Sequence, residues 1–75
     1  MITFDEMWGC WLNNAKELIK EKKLTQRMVA KELGMEESNF SLALNGKKSR
    51  SEYFLYRIAE VLKVHPARIF NLEVK

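Results

Sequence analysis

The stretch "KELGMEESNFSLALNGKK", Lys31–Lys48, decides how this chain is read. Gly34 supplies the left-handed backbone that ends a helix, so "KEL" closes one helix and "GM" turns the chain. Glu36 stands at the cap position of a second helix, predicted over Glu37–Leu44, with Phe40 and either Ala43 or Leu44 turned inward. Asn45-Gly46 stops that helix, and Lys47-Lys48 follows at once. Two short helices across a tight turn, then a basic pair, set the frame. Glu36 and Glu37, two carboxylates where the second helix begins, are the feature that this frame must accommodate.

Toward the N-terminus, Thr25 caps "TQRMVAKELG", whose Val29, Ala30 and Leu33 line one face. Earlier still, "TFDE" (Thr3–Glu6) fits a capping box in which hydroxyl and carboxylate each satisfy a free backbone N–H. Ile2 and Met7 occupy the staple positions around it. Met7, Trp8, Trp11, Leu12, Ala15, Leu18 and Ile19 recur at helical period and predict a helix from Phe4 to Lys22. Its closing lysines suit a helix C-terminus. Toward the other end, Ser51 caps "EYFLYRIAEVLK", with Leu55, Ile58, Ala59 and Leu62 inward. His65 precedes Pro66, and proline is favoured at the first helical position. A short fifth helix is therefore predicted, returning Ile69 and Phe70 to the core. Nothing reads as a strand or a repeat. The predicted fold class is all-α: a compact five-helix bundle, one domain over 1–75.

Composition bounds the function. The 75 residues are 47% hydrophobic and include two Trp, two Tyr and four Phe, enough for a small helical core and too apolar for disorder. The one cysteine, Cys10, forms no internal disulfide and is expected to pack as a small buried hydrophobe. No apolar run is long enough for a bilayer. Asp5 and Glu6 stand where a secretory signal carries basic residues. The expected setting is cytoplasmic. Net charge is +3, unevenly spread. Through Gly46 there are six Lys/Arg against seven Asp/Glu, whereas from Lys47 onward there are seven against three. The basic excess begins where the opening stretch ends, and it suits a polyanionic partner.

Two short helices joined by a glycine-bearing turn make the helix-turn-helix pattern. From Leu24 to Phe70 the chain resembles the lambda-repressor-like DNA-binding domains, the family of phage repressors, Cro proteins and XRE-type regulators. "LTQ" opening the second helix, "VAKELGM", "NGK" closing the third and "IAEVLKVHPARIF" carry the match. It spans roughly two-thirds of the 75 residues, and "KELIKEKKL" in the first helix also fits.

The resemblance implies a helix-turn-helix over 25–45, a basic loop over 46–51 and double-stranded DNA as partner. The Glu37–Leu44 helix would enter the major groove. Glu37, Ser38, Ser41 and Leu42 would then face base edges, with Asn39 beside them. Gln26 and Arg27 would meet one phosphate, and Asn45 and Lys47 another. Lys48 and Arg50, in the same "GKKSR" loop, would add affinity that falls with salt and reads no sequence. Asn39 can pair with adenine, and an exposed Leu42 suits a thymine methyl. The plainer reading of Ser38, Asn39 and Ser41 is small polar surface residues, and that of the lysines is a solvated loop.

Glu36 and Glu37 depart from the neutral or basic residues common in the family. Glu36 is expected to cap the helix, while Glu37 either offsets its positive end or accepts from cytosine N4. Trp8 and Trp11 are expected in the core. No nucleophile–base pair, phosphate-cradling glycine loop or metal spacing is present, so no enzyme, cofactor or small-molecule substrate is expected. The expected function is a sequence-specific transcriptional regulator, a repressor of prokaryotic or phage type. It would act as a homodimer on a two-fold operator, its interface drawn from helix one, or from helix five with "NLEVK". The competing expectation is an antirepressor- or antitoxin-like protein-interaction module, docking through Glu36, Glu37, Leu42 and Leu44.

Overall fold

Three hydroxyl caps set three of the helix starts. A computed structural model describes residues 2–71, and α1 runs over Phe4–Glu21, α2 over Gln26–Leu33, α3 over Glu37–Leu44 and α4 over Glu52–Leu62. The hydroxyls of Thr3, Thr25 and Ser51 accept from the backbone N–H groups of Glu6, Met28 and Phe54, so α1, α2 and α4 begin where the sequence places them. The Thr3 hydroxyl also donates to the Glu6 carboxylate at 3.1 Å. That carboxylate therefore takes the hydroxyl proton, not the backbone N–H that a reciprocal capping box would give it.

All four helices end in one way. A left-handed residue stands one or two positions past each helix: Lys23 (φ 59°), Gly34 (φ 72°), Gly46 (φ 74°) and Lys63 (φ 57°). The N–H of each following residue returns to a carbonyl five back: Leu24 to Ile19, Met35 to Ala30, Lys47 to Leu42 and Val64 to Ala59. These bonds satisfy carbonyls that a helix end leaves open. Two of the four endings use lysine where glycine carries no Cβ penalty.

The chain after α4 departs from the prediction. Pro66–Arg68 forms one 3-10 turn, not a fifth α-helix. His65 Nδ1 accepts from the Ala67 N–H at 3.0 Å and caps that turn, a role its sequence position did not reveal. Past the turn α1 takes two carbonyls: Asn14 Nδ2 donates to the oxygens of Ile69 and Asn71, each at 2.8 Å. Those oxygens are thereby tied across the fold rather than along a helix. Arg68 adds an ion pair with Glu21 at 3.1 Å. Among the described residues the protein is all-helical, with four α-helices and no strand. The part of "NLEVK" beyond Asn71 lies outside the described residues.

One core joins these elements. α1 contributes Trp8, Trp11, Leu12, Ala15, Leu18 and Ile19, and α4 contributes Leu55, Ile58, Ala59 and Leu62. Val29 and Ala30 of α2, Phe40 and Leu44 of α3, and Ile69 close it. α1 packs on α3 and α4, and α2 packs on α3 and α4. Trp11 meets Trp8 and Phe70 edge-on, with ring centroids 6.1 and 4.7 Å apart. Cys10 is half-buried, its thiol pointing at the Asn71 carbonyl 3.7 Å away, so it is less enclosed than the small hydrophobe predicted there. No helix among the described residues is long and apolar enough to cross a membrane.

Candidate nucleic-acid interface

α3 is eight residues long, too short to hold its shape alone in water. Phe40 and Leu44, one turn apart, are both fully buried and hang it on the core. The Phe40 ring meets Phe54 of α4 edge-on at 5.6 Å. That pair fixes which way α3 faces. Ser38 and Leu42 lie exposed on the far side, Leu42 at 45%, with Ser41 and Asn39 half-buried to either side, while Glu37 is exposed in the first turn on the stripe it shares with Phe40 and Leu44. Between Ala43 and Leu44, which the sequence left open, Leu44 is the anchor. Its complete burial also removes it from any docking face.

Glu36 precedes α3 without a side-chain cap bond, so the expected cap is not made. The carboxylate stays exposed, and its remaining service is to offset the helix's positive end. Glu37 has a definite partner. Its Oε1 accepts from Arg27 Nε at 3.3 Å, joining the first turns of α2 and α3. Two residues expected to meet DNA separately, one at a phosphate and one at a base, thus meet each other.

The opposite end of α3 is likewise tied. Asn45 Nδ2 donates to the Ser41 carbonyl at 2.8 Å, and its Oδ1 accepts from Lys16 Nζ of α1 at 2.8 Å. Lys16 was not among the expected site residues. No local pattern reveals it, because the contact spans 29 residues. Lys16, Glu17 and Lys20 also line a groove with Gln26, putting two cations and one carboxylate beside the start of α2. In the loop after α3, Arg50 is bound on α1, hydrogen-bonded to Asp5 and lying over the Phe4 ring at 4.9 Å. Lys47 and Lys48 are exposed and outside every ion pair found among the described residues.

The result is a short outward helix face with hydroxyls and a leucine, and at its first turn a carboxylate paired with Arg27. Lysines lie at the start of α2 and just after α3. Such cations attract a polyanion by releasing its counterions, while the groups between them can meet base edges. No family model, curated protein or solved structure matches this chain.

Proposed function

We propose that this chain is a sequence-specific DNA-binding regulator of helix-turn-helix type. α2 and α3 are the helix pair, and α3 enters the major groove. One observation carries the reading. α3 is held entirely from one side by Phe40 and Leu44, leaves Ser38 and Leu42 outward, and is followed after Asn45-Gly46 by Lys47 and Lys48, exposed and without an ion pair among the described residues. The sequence resemblance from Leu24 to Phe70 supports the same assignment. A helix this short spans few base pairs, so useful specificity calls for a homodimer on a two-fold site.

Within this reading Lys47, Lys48 and Lys16 serve phosphates, while Ser38, Ser41 and Leu42 meet bases, with Asn39 at the margin. Asn45 and Arg50 act indirectly, bracing the end of α3 and the basic loop through Lys16, Asp5 and Phe4. The test is binding of duplex DNA against salt concentration. Replacing Lys47 and Lys48 together by alanine should weaken all sequences alike. It should also lower the slope of log affinity against log salt by about 1.8, at about 0.9 per phosphate. Absence of binding at low salt across a random duplex pool would end the proposal.

A second reading draws on Glu36, which is exposed and caps nothing, and on the exposed Leu42 further along α3. That acidic-apolar edge suits a protein partner of antirepressor or antitoxin kind. Amide shifts during a DNA titration separate the two. Movement in α3 and at Lys47–Lys48 supports DNA, whereas movement confined to α1 or the tail counts against the DNA reading of α3.

A further inference from the structure

The Arg27–Glu37 pair bridges the two helices that the proposed function gives to DNA, and among the described residues neither side chain makes another hydrogen bond or ion pair. Their side chains are 81% and 53% exposed, so the bond is solvated and easily exchanged. Exposed pairs of this kind contribute little to stability. An uncoupled arginine at the first turn of α2 would seek any phosphate. A lone carboxylate at the first turn of α3 would be repelled by every phosphate nearby. Paired, each cancels the other, and this part of the surface gains nothing from DNA of arbitrary sequence.

We infer that Glu37 and Arg27 form a partner-exchange device that makes cytosine at one position of each half-site a condition for an extra phosphate contact. This rests on the DNA-binding reading of α3. On non-cognate DNA the pair stays closed, because opening it leaves Glu37 without a donor beside phosphates. Where a cytosine N4 amino group lies opposite α3, the Glu37 carboxylate accepts from it, as carboxylates do in the major groove. Arg27 is then released to a backbone phosphate. One correct base thus yields two contacts, and a wrong base yields neither. Glu37 determines the specificity, and Arg27 converts it into affinity.

The exchange has a signature that independent contacts lack: Arg27 should contribute to the salt dependence on cognate DNA only. Duplexes selected from a random library by the full chain should carry cytosine at one position per half-site. Arg27→Ala should lower the salt slope by about 0.9 on the selected duplex and leave it unchanged on mixed-sequence DNA. Glu37→Gln should shift that position toward adenine, which glutamine reads with two bonds. By freeing Arg27 it should also steepen the slope on mixed-sequence DNA by about 0.9, an extra factor of about three in affinity between 200 and 50 mM salt.

Equal slope changes for Arg27→Ala on both DNAs would overturn the exchange while leaving DNA binding intact, since Arg27 would then be a standing phosphate contact. No slope change on either DNA, or an unaltered base preference in Glu37→Gln, would overturn it as well. Complete absence of DNA binding by the unaltered chain would remove the DNA reading and the exchange together, a result distinct from all of these.

Discussion

α1 and α3 are held in the fold by opposite means. α1 has 18 residues, buries six of them along one stripe and starts on the Thr3 hydroxyl. α3 has eight, buries two and starts on Glu36 with no side-chain bond to its cap. A long amphipathic helix carries much of the information for its own formation, whereas a short one depends on what it is anchored to. α3 relies on Phe40, Leu44 and the turns at Gly34 and Gly46. Because so few of its positions serve packing, the others are open to surface chemistry. The two helices therefore divide the work of the domain: α1 builds the core, and α3 is displayed on it.

The strongest way to break this comparison is Phe40→Ala. Losing a fully buried ring and its edge contact with Phe54 should cost about 3–5 kcal/mol, whereas Ser38→Ala and Leu42→Ala should stay within about 0.5 kcal/mol. In a domain this small, each kcal/mol moves the thermal midpoint by roughly 4–8 °C. Phe40→Ala should therefore lower a circular-dichroism melt by more than about 12 °C, and a drop of only a few degrees would mean that α3 is not hung on this ring.

A finer contrast lies in the caps. Thr25→Ala removes the bond to the Met28 N–H and should cost about 1 kcal/mol in urea unfolding. Glu36→Ala removes no cap bond and should cost only about 0.3 kcal/mol, the size of a weak interaction with the helix dipole. Equal losses would show that Glu36 caps α3 after all.

A contrast of similar size, and of opposite signs, concerns the left-handed ends. Lys63→Gly should stabilise by about 0.5 kcal/mol, since relief of αL strain outweighs the added freedom of the unfolded chain. Gly46→Ala, at the matching place after α3, should instead destabilise by about 1 kcal/mol. Chemical denaturation of both variants measures the pair, and a Lys63→Gly chain less stable than the parent would show that this lysine is not strained.

Much of the fold was legible because its signals are local. Thr3, Thr25 and Ser51 act within three residues of themselves, and the apolar stripes repeat within a turn or two. Gly34 and Gly46 end helices for reasons confined to their own backbone. The candidate site was legible only as a set of positions. Arg27 and Glu37 stood in it as separate contacts, yet they bind each other across the turn. Arg50 stood in it as a phosphate ligand, yet it is held by Asp5 and Phe4, more than 40 residues earlier in the chain. Lys16 was missing because its partner, Asn45, is reached only through the packing of α1 on α3.

The sequence by itself determined where helices start and stop, which stripes are apolar and where basic charge accumulates, since each depends on neighbours along the chain. Only the tertiary structure decided that Leu44, not Ala43, is the second anchor of α3, and that Pro66 opens a 3-10 turn instead of a helix. It also decided which cations stay outside the ion pairs of the described residues. Hydrogen bonds and ion pairs between distant residues depend on helix packing, and packing assigns Lys16 to Asn45, Arg50 to Asp5 and Arg27 to Glu37 while leaving Lys47 and Lys48 facing solvent.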